Sequence, residues 1–383
     1  MTLTLSTCGV ATSTTQPPAI TSATATTAPK AVALFCAVPI PESWKSAIAS
    51  GLVTADGTWT MVGALAPVGD KIVKEVLKGS VLHLEVGSPG GKQRFITNIA
   101  NTYEGGHLPY VDNDGQWVVY SLTYELLSGT EWTTFAWDSQ AAAAPHKIAD
   151  SRWNGRTTLN VEAVHQDKTI RLTGSASDAP GGSRAIGDAH KIHLYDLATG
   201  HDQVVRVVKT AILSRPFFGG NLLVWPESDP PGDPTQLKAY DMVNGTMANL
   251  PDALKTVRDS LSIAADTKTW TWGDATFKQL WVWRTDWAAP KKIFDGGDVA
   301  FVSLAGDIVT WVGNGVYAAD LRSGSYVKLT SRNGYSIANG THFEFMYGTR
   351  SLKSNYAAEF APQVSFVVDV SKLPPLPTCS PSN

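Results

Sequence analysis

One short phrase, a turn followed by a strand-like run, recurs along this chain at near-constant spacing and limits the available folds more than any other feature. Gly69-Asp70 precedes Lys71-Ile72-Val73, Asp114-Gly115 precedes Gln116-Trp117-Val118-Val119, and Gln166-Asp167 precedes Thr169-Ile170-Arg171-Leu172. Gly219-Gly220, Asp266-Thr267, Gly306-Asp307 and Asn339-Gly340 head four further runs. Residues 70 to 340 therefore hold six intervals of about 45 residues, the length of one four-stranded blade. A second phrase marks a later turn within a unit. His190-Lys191-Ile192-His193-Leu194-Tyr195-Asp196 runs into Leu197-Ala198-Thr199-Gly200, and Asp241 to Gly245 and Asp320 to Gly324 repeat its Asp, small polar residue and Gly. Asp accepts backbone N–H groups in tight turns and Gly tolerates positive φ, so each copy reads as the hinge of a hairpin. The chain is read as all-β: a β-propeller of four-stranded blades, seven in number with six or eight as alternatives, plus a short N-terminal helix.

Composition agrees with many short strands. Charged residues make up 17%, below the roughly 25% of average soluble chains, and there are 33 Gly, 22 Pro and 13 Trp. The net charge of −3, without a Lys/Arg block, argues against nucleic acid as a partner. No apolar run is long enough to cross a membrane as a helix. Residues 1–30 read as a separate segment. Residues 9 to 30 are Thr-, Ala-, Ser- and Pro-rich and lack the large side chains a core needs, as a flexible tether does.

The folded part is expected to span 31–379, with 31–51 a closing strand and short helix, 52–371 the blades and 372–383 a C-terminal tail. The apolar run 31–40 reads as a buried strand, and Pro41 to Gly51, with Trp44 and Ile48 four apart, as the helix. Cys36 and Cys379 bracket this part and are read as a disulfide joining its two ends, the alternative being two unrelated thiols. The last unit lacks a fourth strand, because Leu373-Pro374-Pro375-Leu376-Pro377 cannot pair within a sheet. The run 31–40 is expected to fill that gap and close the ring.

On its turns and its period, the region 52–371 resembles the exported bacterial propellers related to the propeller domain of TolB and, more loosely, quinoprotein-type blades with an Asp-x-x-Thr-Gly turn. Leu5-Ser6-Thr7-Cys8-Gly9 resembles the lipobox of bacterial lipoproteins, with Thr7 where small residues are usual, and implies lipidation at Cys8; the alternative is an unmodified Cys in a tail. Together these imply an extracytoplasmic, cell-surface or secreted protein. The chain departs from WD-repeat propellers in having no Gly-His to Trp-Asp register. It departs from sialidase propellers too, since Ala55-Asp56-Gly57-Thr58-Trp59 lacks the leading Ser of an Asp box.

In a propeller, the loops between strands 2 and 3 and those between blades leave the same face. Inserts between second and third strands are read at 121–131, 174–190, 225–236 and 348–362, while the units at 270–283 and 308–320 have none, so a lopsided binding face is expected. Its candidate ligand-binding residues are Tyr103, Glu104, His107, Trp153, Arg156, Trp225, Glu227 and Arg332, joined by Arg258, Tyr335 and Asp229. Aromatic planes beside charged groups suit glycans or peptides. The competing reading is that the tryptophans pack between blades and the charges form a solvated rim. His190 and His193, three apart on a strand, point to opposite faces and do not jointly hold a metal. Asp112-Asn113-Asp114-Gly115 begins like a calcium loop but equally fits a tight turn. There is no G-x-S-x-G, H-E-x-x-H or C-x-x-C motif, and no cofactor is implied. The expected function is binding of a cell-envelope protein or glycan by a monomer. The alternative is a polysaccharide hydrolase or lyase with carboxylates near the central channel.

Overall fold

The structure, a computed structural model, describes residues 35–53, 60–67, 71–78, 81–89, 91–99, 110–126, 129–141, 143–150, 163–174, 190–208, 215–228, 233–260, 262–348 and 363–379. These form seven sheets, each a blade built on four antiparallel strands in order from the inner edge outward. Blade 1 is Thr60–Leu65, Ile72–Lys78, Val81–Gly87 and Gln93–Ile99, and blade 2 is Tyr110–Asn113, Trp117–Leu126, Gly129–Asp138 and His146–Asp150. Blade 3 is Val164–His165, Lys168–Gly174, His190–Asp196 and Asp202–Val208; blade 4 is Phe217–Gly219, Leu222–Glu227, Gln236–Asp241 and Thr246–Ala248. Blade 5 is Ile263–Ala265, Thr269–Gly273, Gln279–Arg284 and Lys291–Asp295, and blade 6 is Ala300–Ala305, Ile308–Gly313, Gly315–Asp320 and Ser325–Thr330. Blade 7 takes Gly334–Asn339, His342–Gly348 and Gln363–Asp369 from the end of the chain and Leu52–Val53 from its beginning.

The repeated turns have the chemistry their sequence implies. In blades 3, 4 and 6 the Asp carbonyl accepts from the Gly amide (Gly200, Gly245 and Gly324), and each Gly has φ near +70°. The Asp carboxylates also accept backbone amides: Thr199 N on Asp196 at 2.7 Å, Val243 N on Asp241 at 2.9 Å and Arg322 N on Asp320 at 3.0 Å. Asp196 also takes Lys168, and these donations outweigh burial and hold its pKa at about 2. The Asp112 to Gly115 stretch is a turn of the same kind. Its carboxylates accept Asn113 N, Gln116 N and Trp117 N, and reach across to Val164 N and Asp167 N of blade 3.

Because neither face of a blade can be buried within the blade, the core is divided among the joints. Each of the seven buried apolar clusters lies between two neighbouring blades. Val73, Leu84, Val118 and Tyr120 join blades 1 and 2, and Ile170, Ile192, Leu223 and Trp225 join blades 3 and 4. Val309 and Trp311 of blade 6 meet Leu280 and Val282 of blade 5. The joint between blades 7 and 1 has a smaller described cluster, Val53, Val62, Leu65, Ile72 and Val367. By strand alternation, Lys74 and Glu85 of blade 1 share the face of Ile72, and Glu344 of blade 7 sits opposite Val367 and Ile337. All three are buried, so the joint that closes the ring encloses charged side chains.

Closure differs from the sequence expectation. Leu52–Val53 supplies the fourth strand of blade 7, pairing antiparallel with Phe366 and Ser365. Within the run 31–40, Cys36–Ala37 instead pairs parallel with Ser325–Tyr326 and adds a fifth strand to blade 6. Pro39 and Pro41 explain the change, since neither has an N–H to extend a ladder. The helix is Glu42–Ser50, with Trp44 fully buried against Val316, Val327 and Phe345 and donating Nε1 to the Pro374 carbonyl at 2.8 Å. Cys36 and Cys379 form a disulfide with Cα atoms 5.8 Å apart. No described helix is long and apolar enough to cross a membrane.

Candidate functional site

Antiparallel order within each blade puts the strand 2–3 connections and the blade-to-blade connections at one end of the ring, and the repeated Asp turns at the other. At the first end the connection lengths are uneven. Blades 3, 4 and 7 have long strand 2–3 connections, at 175–189, 228–235 and 349–362, whereas blades 5 and 6 have 274–278 and the single residue Asn314. The stretch 121–131 is not an insert. The ladder continues as far as Leu126 opposite Gly129, which lengthens the hairpin of blade 2. Likewise 225–227 belongs to a strand, and that connection begins at 228.

Of the candidate residues, Tyr103, Glu104, His107, Trp153, Arg156 and Asp229 lie outside the described residues, as does Cys8. Trp225 and Glu227 were expected on an exposed insert and are instead buried between blades 3 and 4. The Glu227 carboxylate accepts Trp225 Nε1 at 2.9 Å and both Nε (3.1 Å) and Nη2 (2.5 Å) of Arg206 from the outer strand of blade 3. A buried carboxylate needs such a full set of donors, so the pair is an anchor for the 228–235 connection rather than a ligand contact. The far end of that connection is fixed too: Asp259 accepts Thr235 N at 2.8 Å while its own N–H donates to Thr235 Oγ1. Arg258 donates to the carbonyls of Lys255 and Val257 and so caps its own turn.

Arg332 and Tyr335 are placed differently. Arg332 lies in the three-residue connection from blade 6 to blade 7 and is exposed, with its guanidinium 5.3 Å from the centroid of Tyr347. Tyr335, the second residue of the inner strand of blade 7, meets Phe301 edge to face, centroids 5.0 Å apart. Phe301 and Tyr347 were missed in the sequence, where nothing distinguishes them from core aromatics. Phe301 is 56% exposed and has φ +48°. It sits in a bulge of the inner strand of blade 6, where Ala300 pairs with Val312 and Ser303 with Thr310, leaving two residues opposite Trp311. Asp259, in the connection from blade 4 to blade 5, and Phe277, in blade 5, also have positive φ at this end, while Gln166 and Asp167 have it in the strand 1–2 turn of blade 3 at the other.

The described inner strands are mostly apolar; they carry Asp112, already used on amides, and His165, whose pKa is lowered by burial against the opposing pull of Asp114. Among the described residues no three His, Cys, Asp or Glu side chains gather to hold a metal ion.

No protein-family model matches the chain, and no curated protein matches it. Solved structures do share its fold. It is similar to a prolyl endopeptidase at 13% identity and a TM-score of 0.55, over 86% of this chain and 49% of that one. The propeller domain of the Trilobed protease from Pyrococcus furiosus matches at 10% identity and a TM-score of 0.50, over 76% of this chain and 93% of that one. An oligogalacturonate lyase solved with manganese matches at 7% identity and a TM-score of 0.50, over 83% and 92%. The chain spans about half the length of the prolyl endopeptidase and nearly the whole of the other two. At these identities the likeness is one of fold, the β-propeller.

Proposed function

We propose that this protein is an exported, membrane-tethered β-propeller that binds a cell-envelope or extracellular partner through the end of the ring bearing the long connections. The observation that carries the reading is the asymmetry of that end. Three blades carry long connections, and the 228–235 connection is pinned at both ends by polar contacts. A face that only closed the ring would need neither. The disulfide between the ends of the folded part fits an oxidising compartment, and the lipobox-like start would supply the tether.

A second reading is a polysaccharide lyase or hydrolase, and the near full-length fold match to an oligogalacturonate lyase supports keeping it. It would draw on carboxylates near the channel, where the described strands offer Asp112 and His165. A glycan array and a pull-down from envelope extract, both with the full chain, separate the two. Retention of a partner without turnover is expected. Release of shortened or unsaturated sugar would overturn the binding reading in favour of the enzyme.

A further inference from the structure

Asn-Gly is the pair at which a polypeptide modifies itself most readily, because glycine has no Cβ to shield its backbone nitrogen from the asparagine side chain before it. This chain has five such pairs, at Asn154, Asn244, Asn314, Asn333 and Asn339, and all but the first lie among the described residues. The fold restrains three of the four. Asn244 Nδ2 donates to Asp241 Oδ2 at 2.6 Å, and the amide of Gly245, the group that would have to react, donates to the Asp241 carbonyl at 2.9 Å. Asn314 Oδ1 accepts from the Tyr317 hydroxyl and from Lys328 Nζ. Asn339 Nδ2 donates to the Leu65 carbonyl at 2.9 Å, and its turn is wedged against blade 1, where a Cβ on Gly340 would lie 1.6 Å from the Pro67 carbonyl oxygen.

Asn333 is held by none of these devices. It is exposed in the connection from blade 6 to blade 7, and its side chain makes no hydrogen bond among the described residues. Gly334 opens the inner strand of blade 7. Hydrogen-bonded and non-hydrogen-bonded pairs alternate from the turn-closing pair Asn339 and His342, so Gly334, opposite Tyr347, falls at a non-hydrogen-bonded pair. Its N–H points away from the neighbouring strand, toward the open inner edge of the sheet, and the ladder does not hold it.

We infer that Asn333 is a site of spontaneous covalent modification, deamidation through a succinimide. The Gly334 nitrogen attacks Cγ of Asn333, its proton passes through solvent to Nδ2, and the Cγ–Nδ2 bond breaks as ammonia leaves. Water then opens the ring. Cleavage between nitrogen and Cγ gives aspartate, and cleavage between nitrogen and the backbone carbonyl carbon gives isoaspartate, in which the chain continues through Cγ. Nothing is oxidised or reduced. Either product puts a carboxylate next in sequence to Arg332, at the end of the ring that bears the long connections, and isoaspartate also lengthens that connection by one methylene. The site stands whether or not that end binds a partner.

Peptide mapping by mass spectrometry, on the full chain kept folded in mildly alkaline buffer and sampled over time, tests the site, with an isoaspartate-specific methyltransferase reporting the second product. Asn333 is expected to deamidate at least about 10-fold faster than Asn244, Asn314 or Asn339, the factor by which one further hydrogen bond to break slows a rate. Isoaspartate should appear at 333, since direct hydrolysis of the side-chain amide gives aspartate alone. In urea, where every pair loses its contacts, the four rates should converge. Asn333→Gln should abolish the fast phase and leave the melting temperature unchanged, because the side chain it replaces holds nothing. The inference is overturned if Asn333 stays intact, if any of the three held sites reacts as fast, if only aspartate forms at 333, or if Asn333 leads by the same factor in urea, which would assign the preference to local sequence and not to the fold.

Discussion

Glu227 illustrates how a residue with the profile of a ligand contact becomes structural once it is buried. Its carboxylate is enclosed and holds Arg206 and Trp225, so Glu227→Gln should cost about 2 kcal/mol in urea unfolding, less than a wholly buried ion pair because Arg206 is partly exposed. Unchanged stability would mean that the ion pair is idle. Glu75 and Glu344 are the opposite case. Both are fully buried, neither carboxylate has a hydrogen-bond partner, and burial raises both pKa values well above the usual carboxylate range. The Ser365 hydroxyl beside Glu344 does not reach hydrogen-bond geometry and offsets the burial only in part. A carboxyl whose pKa is raised by folding favours the folded state most below the unfolded value, about 4.3. That advantage is lost as the pH rises through the folded value. The protein should therefore be more stable at pH 5 than at pH 8 through these two groups. The Glu75→Gln, Glu344→Gln double variant should narrow the gap in melting temperature, and an equal gap in both proteins would contradict the assignment.

At the scale of elements, the turns were legible because their chemistry is local. Asp carboxylates on backbone amides and Gly at positive φ leave the same mark wherever the chain reverses, as at Asp196, Asp241 and Asp320. The closing strand was not legible, since Leu52–Val53 is too short to show a period. The longer apolar run before it is diverted by its prolines to the edge of blade 6. The extended hairpin of blade 2 was hidden for a related reason. Leu122, Tyr124 and Leu126 alternate with Ser121, Thr123 and Glu125, but over too few residues to be told from a loop by sequence alone. The disulfide ties the tail at Cys379 to Cys36 on the strand at the edge of blade 6, which leads through the helix to the closing strand Leu52–Val53. Replacing Cys36 and Cys379 together by Ser should lower stability by about 2–5 kcal/mol, read as a lower denaturant midpoint. A midpoint unchanged by the substitution, with the native protein confirmed oxidised by mass, would show that Leu52–Val53 and the buried Trp44 close the ring unaided.

For the whole molecule, the seven-blade ring was readable from period alone, because each blade must repeat the same outline to stack on its neighbours. The working face was readable only as a direction. Unequal connection lengths pointed to it, but which side chains face solvent depends on the packing of neighbouring blades, and so Trp225 was placed on an exposed insert and Phe301 was not singled out. The central claim is that one end of the ring binds and the other only turns the chain. Hydrogen–deuterium exchange on the full chain, with and without the partner retained from envelope extract or the glycan array, addresses it directly. Slower exchange is expected at 298–302 and 331–335, with no change at the turns 197–200, 242–245 and 321–324. Protection confined to those turns, or none at either end, would contradict it.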